Sequence, residues 1–124
     1  MMRVLVCGGR SFTDRESLFH ELHKLAEQYG HLTVIEGGAK GADALAREWA
    51  TLGYHGLVTV RAEWHRLGRA AGPMRNTRML VGGKPDMVLA FPGGRGTADM
   101  VCQAREVGVP VVEIPARQSV ESAA

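Results

Sequence analysis

Met87-Val88-Leu89-Ala90-Phe91-Pro92-Gly93-Gly94-Arg95-Gly96-Thr97 is the stretch that decides the fold. Its first five residues are apolar without alternation, the pattern of a strand buried on both faces of a parallel sheet. The run stops at Pro92 and passes through two glycines into Thr97 to Val107, read as a helix stopped by Gly108. A buried strand that enters a Gly-rich turn and then a helix is the first half of a parallel crossover unit. Val109 to Ile114 supplies the returning strand.

The same grammar repeats upstream. Val4 to Cys7 is a short apolar run closed by Gly8-Gly9, and Leu32-Thr33-Val34-Ile35 is closed by Gly37-Gly38. From Asp14 the period changes, and Leu18, Leu22, Leu25 and Ala26 share one helical face. Thr13 or Asp14 can cap that helix, and Gly30 fits its stop. Ala42 to Leu52 predicts a second helix, with Ala42, Leu45, Ala46 and Trp49 on one face and Gly53 beyond its end. Gly56 to Val60 reads as a third strand. A polar, Arg-rich connection runs from Arg61 to about Pro73, and Met74 to Val81 predicts a helix ended by Gly82-Gly83. Strict β-α alternation implies an α/β fold, a single Rossmann-like three-layer domain with a five-stranded parallel sheet. By analogy with doubly wound sheets the expected order is 3-2-1-4-5, reversing between the first and fourth strands. The domain is expected over residues 1–116, with 117–124 a small, polar, disordered tail.

In such a sheet Gly8-Gly9, Gly37-Gly38 with Gly41, and Pro92-Gly93-Gly94 with Gly96 all fall at carboxyl ends of strands, the edge where doubly wound sheets bind ligands. Glycine lets the chain turn tightly and approach a ligand closely. Successive N–H groups then converge, and the next helix N-terminus adds partial positive charge, an arrangement that binds phosphate. The glycine excess, 16 of 124 residues against about 7% in ordinary proteins, is accounted for largely at these turns. Neither a G-x-x-x-x-G-K-[ST] loop nor a G-x-G-x-x-G after the first strand is present, which excludes the P-loop triphosphatase and ordinary NAD patterns.

Composition narrows the partners. Net charge is +2, too small to argue for nucleic acid. Between Arg61 and Leu80, however, five arginines face one acid, Glu63, a local balance suited to an anionic ligand. Cys7 and Cys102 lie in apolar patterns without C-x-x-C or His at ligand spacing, so both are expected as buried free thiols, with no metal site. No apolar run approaches the ~20 residues of a membrane span. The N-terminus enters a strand without a cleavage pattern, and a cytoplasmic protein is expected.

Four motifs in order carry a family resemblance. They are Gly8-Gly9-Arg10-Ser11-Phe12-Thr13-Asp14, Gly37-Gly38-Ala39-Lys40-Gly41-Ala42-Asp43, Trp64 ahead of Gly72-Pro73-Met74-Arg75-Asn76, and Pro92 to Thr97. The sequence resembles the YspA-type branch of the SLOG group. More distantly it is similar to the Lonely-guy nucleoside 5′-monophosphate phosphoribohydrolases and the Rossmann-like domain of DprA. The resemblance spans residues 3 to about 115 and implies a Rossmann-like fold and a nucleotide or nucleotide-derived ligand. Lonely-guy enzymes use an Arg before the P-G-G loop, which Arg75 matches, and a Glu ending P-G-G-x-G-T-x-x-E. Met100 stands at that Glu position, and Asp99, one residue earlier, is turned about 100° around the helix. The resemblance therefore implies binding more firmly than hydrolysis.

Single residues carry two readings each. Arg75 is read as a bidentate phosphate ligand or as an electrostatic partner of a developing sugar cation. Asn76 is a ribose or base contact, or a helix cap. Arg10 points into the crevice or pairs with Asp14. Asp43 binds ribose hydroxyls, serves the helix dipole or, as an alternative to Asp99, supplies the carboxylate for hydrolysis. Trp64 stacks on a base or plugs the core. Thr97 caps its helix and can donate to phosphate. Asp99 is a first-turn acid or, with Arg75, part of a catalytic pair. The Met residues at 74, 79, 87 and 100 read as core filler. The leading expectation is a nucleoside monophosphate or related nucleotide bound through the Gly-rich loops, with no cofactor required. Cleavage of a nucleotide's N-glycosidic bond is the alternative. Single-stranded nucleic acid ranks last, because it calls for a basic track and stacking aromatics. A dimer or higher oligomer is expected from the related families.

Overall fold

The computed structural model describes residues 1–117. Five strands, β1 (Met2–Cys7), β2 (Leu32–Glu36), β3 (Gly56–Thr59), β4 (Met87–Ala90) and β5 (Val111–Glu113), form one all-parallel sheet in the order β3-β2-β1-β4-β5. The order reverses between β1 and β4, which pair from Val4 with Met87 to Cys7 with Ala90. The crossovers are α1 (Arg15–Tyr29), α2 (Ala42–Leu52), then α3 (Trp64–Leu67), a 3-10 turn and α4 (Ala71–Gly83), and finally α5 (Arg95–Glu106).

Strand alternation divides the core into two layers. Val4, Val6, Val34, Leu89 and Phe91 meet Leu18, Leu22, Ala46 and Trp49 of α1 and α2. Leu5, Cys7, Ile35, Val88 and Ala90 meet Met79, Leu80, Met100 and Val101 of α4 and α5. Both faces of the central strands are thus covered, as their unbroken apolar runs require. Asp14 is the cap of α1, accepting from Ser17 N–H at 3.1 Å.

Several local expectations are corrected. The connection after β3 is helical from Trp64, and α4 opens at Ala71 rather than Met74. Pro73 therefore lies in its first turn, where a missing N–H costs nothing. Gly82 and Gly83 belong to α4, which ends with Lys84 in the left-handed region (φ 48°). Gly83 is inside the helix for packing, since a Cβ there would come within 3.2 Å of Ile35 Cδ1. Thr97 is the third residue of α5, makes no capping bond, and lies beneath Gly93. Cys7 is buried, but Cys102 is exposed, because it lies on the outer face of α5 beside Glu106. Met100 is buried, whereas Met74 is half-exposed at the start of α4. Arg117 pairs with Asp14 at 2.7 Å, which removes that acid as a partner for Arg10. The expectation for the rest of the tail falls on 118–124, outside the described residues.

Candidate functional site

The three Gly-rich loops meet at the reversal point because they bind one another there. Gly9 N–H donates to Pro92 C=O at 2.9 Å, and Ala42 N–H, at the start of α2, donates to Gly9 C=O at 3.2 Å. The loop after β1 is thereby clasped between the other two. Gly41 has φ +73°, and a Cβ on it would run into the Gly9 carbonyl. Part of the glycine content thus serves loop-to-loop approach. The opening N–H groups of α5, at Arg95, Gly96 and Thr97, have no intrahelical acceptor and keep the capacity to bind an anion.

Beside these loops lies a cleft of two adjoining cavities. The inner one, ≈ 340 Å³, is lined by Cys7, Gly8, Gly9, Asp43, Asn76 and the α5 start from Gly94 to Thr97. The outer one, ≈ 430 Å³, is lined by Gly37, Gly38, Lys40, Arg61 and Ala62. Arg10, Ala39, Trp64 and Arg75 form the wall that both share. A larger groove of ≈ 1020 Å³ lies across the Pro92–Thr97 loop, between α5 and β5. Its walls are mainly apolar, and its one arginine, Arg105, is paired with Glu113 at 2.9 Å. Free positive charge faces the two-part cleft instead.

Arg75 is the centre of that cleft. Its Nη1 donates to Gly37 C=O at 2.7 Å and its Nε to Asn76 Oδ1 at 3.0 Å. A Cβ on Gly37 would collide with the guanidinium. Among the described residues no carboxylate lies within 4.0 Å of it. Desolvation pulls its pKa down from the ordinary arginine value, opposed by the charge of Asp43. An arginine still has ample margin to stay charged at neutral pH. A half-buried guanidinium with no carboxylate in contact is a ready partner for phosphate.

Asn76 is 3% exposed and fully committed. Its amide donates to Gly96 C=O at 3.2 Å and to Asp99 Oδ2 at 2.9 Å, while its oxygen accepts from Arg75. Asp99 Oδ2 also accepts from Gln103 at 2.8 Å. Asp99 therefore braces α4 against α5 and is not part of the cavity lining. Asp43 is buried on the inner wall and accepts from Ala39 N–H at 3.2 Å. Burial, followed by the nearby Glu36 charge, pushes its carboxyl up from the usual aspartate range against its backbone hydrogen bonds. Burial pushes the Cys7 thiol up to about 12, so it is a protonated floor of the cavity and no nucleophile at neutral pH.

Trp64 is 47% exposed and so is no core plug. Its ring edge rests against Gly72, and the Arg10 guanidinium lies 5.4 Å from its ring centroid. The most consequential residue missed in the sequence is Glu36. It is fully buried, and its carboxylate accepts from Gly38 N–H (2.6 Å), Arg47 Nη1 (3.1 Å) and the Thr59 hydroxyl. The available signal was an acid closing an apolar strand directly before Gly37-Gly38.

Residues 2–67 match the model of the YAcAr family, described as the YspA, cpYpsA-related SLOG family. The chain belongs to the YAcAr family. The match runs from β1 through α3 and includes Gly8, Gly9, Gly37 to Asp43 and Trp64. This YAcAr chain is also 40% identical, over 123 residues, to the Gene 61 protein of Mycobacterium phage D29, covering 90% of this chain and 95% of that protein. Its fold is similar to MurG of Acinetobacter baumannii, with a TM-score of 0.59 at 15% identity. That likeness covers 99% of the YAcAr chain but 38% of the MurG chain, so it speaks to the fold alone. The family fits a nucleotide-related role. Among the described residues no His, Cys, Asp or Glu group has the makings of a metal site, and no helix is long and apolar enough to cross a membrane.

Proposed function

We propose that this YAcAr chain binds a nucleoside monophosphate or a related nucleotide-derived ligand, with its phosphate in the inner cavity. The observation that carries the proposal is the guanidinium of Arg75, half-buried, held by Gly37 and Asn76, and without a carboxylate within 4.0 Å among the described residues. The phosphate would accept from Arg75 and from the opening N–H groups of α5 at Arg95, Gly96 and Thr97. Gly93 and Gly94 shape the turn that presents those groups. Asp43, on the same wall, faces the place a ribose would take and can accept from its hydroxyls. Isothermal titration against AMP, ADP-ribose and NAD tests the reading. Submillimolar binding of at least one, lost in Arg75→Ala, supports it. No nucleotide binding below millimolar contradicts it.

One observation favours a second, enzymatic reading. Asp43 shares the inner cavity with Arg75, and its carboxyl is shifted toward the protonated form, as a catalytic acid or base requires. In N-glycosidic hydrolysis the C1′–N bond breaks, its electron pair leaves with the base nitrogen, and water supplies the hydroxyl at C1′. Asp43 would take the water's proton, which passes on to the departing base nitrogen, with Arg75 holding the 5′-phosphate. Incubation with a panel of nucleoside monophosphates, followed by chromatography for free base, decides it. Base release abolished in Asp43→Asn supports hydrolysis, and no base at high enzyme concentration leaves binding as the function.

A further inference from the structure

We infer that the cleft takes a ligand with two phosphate groups, one in each cavity, with Arg75 on the wall between them. This rests on the reading that the inner cavity holds a nucleotide phosphate, and it adds a use for the outer one. A single phosphate in the inner cavity is served by Arg75 and the start of α5. That leaves Lys40 and Arg61 in the outer cavity, with Arg10 on the common wall.

None of these cations has a carboxylate within 4.0 Å among the described residues. Of the neighbouring acids, Asp43 faces the inner cavity and accepts from Ala39 N–H, and the other two are engaged elsewhere. Glu63 pairs with Arg66 at 2.7 Å, and Glu36 is buried under Gly38, Arg47 and Thr59. Two of the three cations are also held in place. Arg61 Nη1 donates to Gly38 C=O at 3.1 Å, and Arg10 lies against the Trp64 ring. Gly38 has φ +76°, and a Cβ there would come within 2.9 Å of Arg61 Cγ, so the loop is shaped to let Arg61 lie across it. Positioned, unpaired like charges around one concavity raise the local concentration of anions and favour one that neutralises them. The cavities adjoin, with four lining residues in common, so a ligand with two phosphates can be offered both sets of donors.

The test compares nucleoside 5′-monophosphates with the matching 5′-diphosphates and 3′,5′-bisphosphates by isothermal titration at one fixed salt concentration. Adenine and guanine series serve as probes. A second phosphate held by charge-assisted bonds is expected to tighten binding at least about tenfold. That ratio should fall to about one in Lys40→Ala/Arg61→Ala, and partway in Lys40→Ala alone, whose side chain makes no bond among the described residues. Which two-phosphate probe gains more distinguishes adjacent from separated phosphates. Monophosphates binding as tightly as both two-phosphate forms would overturn this inference and leave the nucleotide reading standing. A ratio unchanged in the folded double variant would overturn it equally. Failure of every nucleotide to bind overturns the nucleotide reading and this inference with it.

Discussion

Asn76 Nδ2 lies 2.9 Å from Asp99 Oδ2, a bond that ties α4 to α5 and leaves the Asn76 oxygen free to accept from Arg75 Nε at 3.0 Å. The amide thus transmits the position of one helix to the guanidinium that faces the cleft. Asn76→Ala takes one of two donors from Asp99 Oδ2, which keeps Gln103, and leaves the Gly96 carbonyl and one arginine N–H without this partner. It should cost about 1–3 kcal/mol in urea unfolding. It should also weaken nucleotide binding beyond any loss of fold, because Arg75 loses an anchor. Asn76→Ala that binds as tightly as the wild type would remove the positioning role.

The clasp between loops makes Gly41 the most sensitive glycine. Gly41→Ala adds a Cβ aimed at the Gly9 carbonyl in a backbone at φ +73°. Strain and clash together should destabilise the protein by at least about 2 kcal/mol. Gly96→Ala, where a Cβ meets open space, should change stability by less than about 1 kcal/mol. Thermal melts of the two variants side by side check this contrast.

Glu36 holds the second loop from below. Glu36→Ala leaves Gly38 N–H, the Thr59 hydroxyl and Arg47 without their common acceptor. A loss of about 3 kcal/mol is expected, near the lower end for breaking a buried pair, since Arg47 is one-third exposed. Glu36→Gln keeps an acceptor for Gly38 and should lose clearly less. Equal losses in the two variants would show that charge, rather than hydrogen bonding, dominates.

The buried parallel strands were readable as short apolar runs, most of them closed by glycine, while the order β3-β2-β1-β4-β5 came from analogy with doubly wound sheets. The convergence of Gly8-Gly9, Gly37-Gly38 and Gly93-Gly94 followed from that order. The start of α4 was not readable, since Pro73 resembles a boundary from sequence and is tolerated within a first helical turn. Gly83 likewise mimics a stop, while its actual cause is close approach to Ile35 across the core. Asn76 and Asp99 are 23 residues apart, so their bond is a tertiary fact that no spacing rule supplies. The exposure of Cys102 depends on which face of α5 meets the sheet, and the thiol's apolar neighbours in sequence do not fix that.

At the opposite edge of the sheet, His55 stacks on Trp49 with centroids 4.2 Å apart, near His31 and His23. Its Nδ1 accepts from Leu32 N–H at 3.0 Å, so the neutral ring carries its proton on Nε2. Burial, then the neighbouring His31 and His23, lower its pKa below 6.5. The unfolded chain then binds this proton more readily than the folded one. The resulting stability is full above the unfolded value and is lost as pH falls through 6.5 to the folded pKa. Unfolding free energy should therefore decline from pH 7 toward pH 5, and the decline should be shallower in His55→Gln. An identical slope in the variant would assign the acid sensitivity elsewhere.

The most direct measurement is a crystal structure with the tightest-binding nucleotide soaked or co-crystallised. A phosphate is expected within hydrogen-bonding distance of the Arg75 guanidinium and of the N–H groups at Arg95, Gly96 and Thr97. Density for the nucleotide in the groove between α5 and β5, with Arg75 still bonded only to Gly37 and Asn76, would contradict the assignment of the cleft.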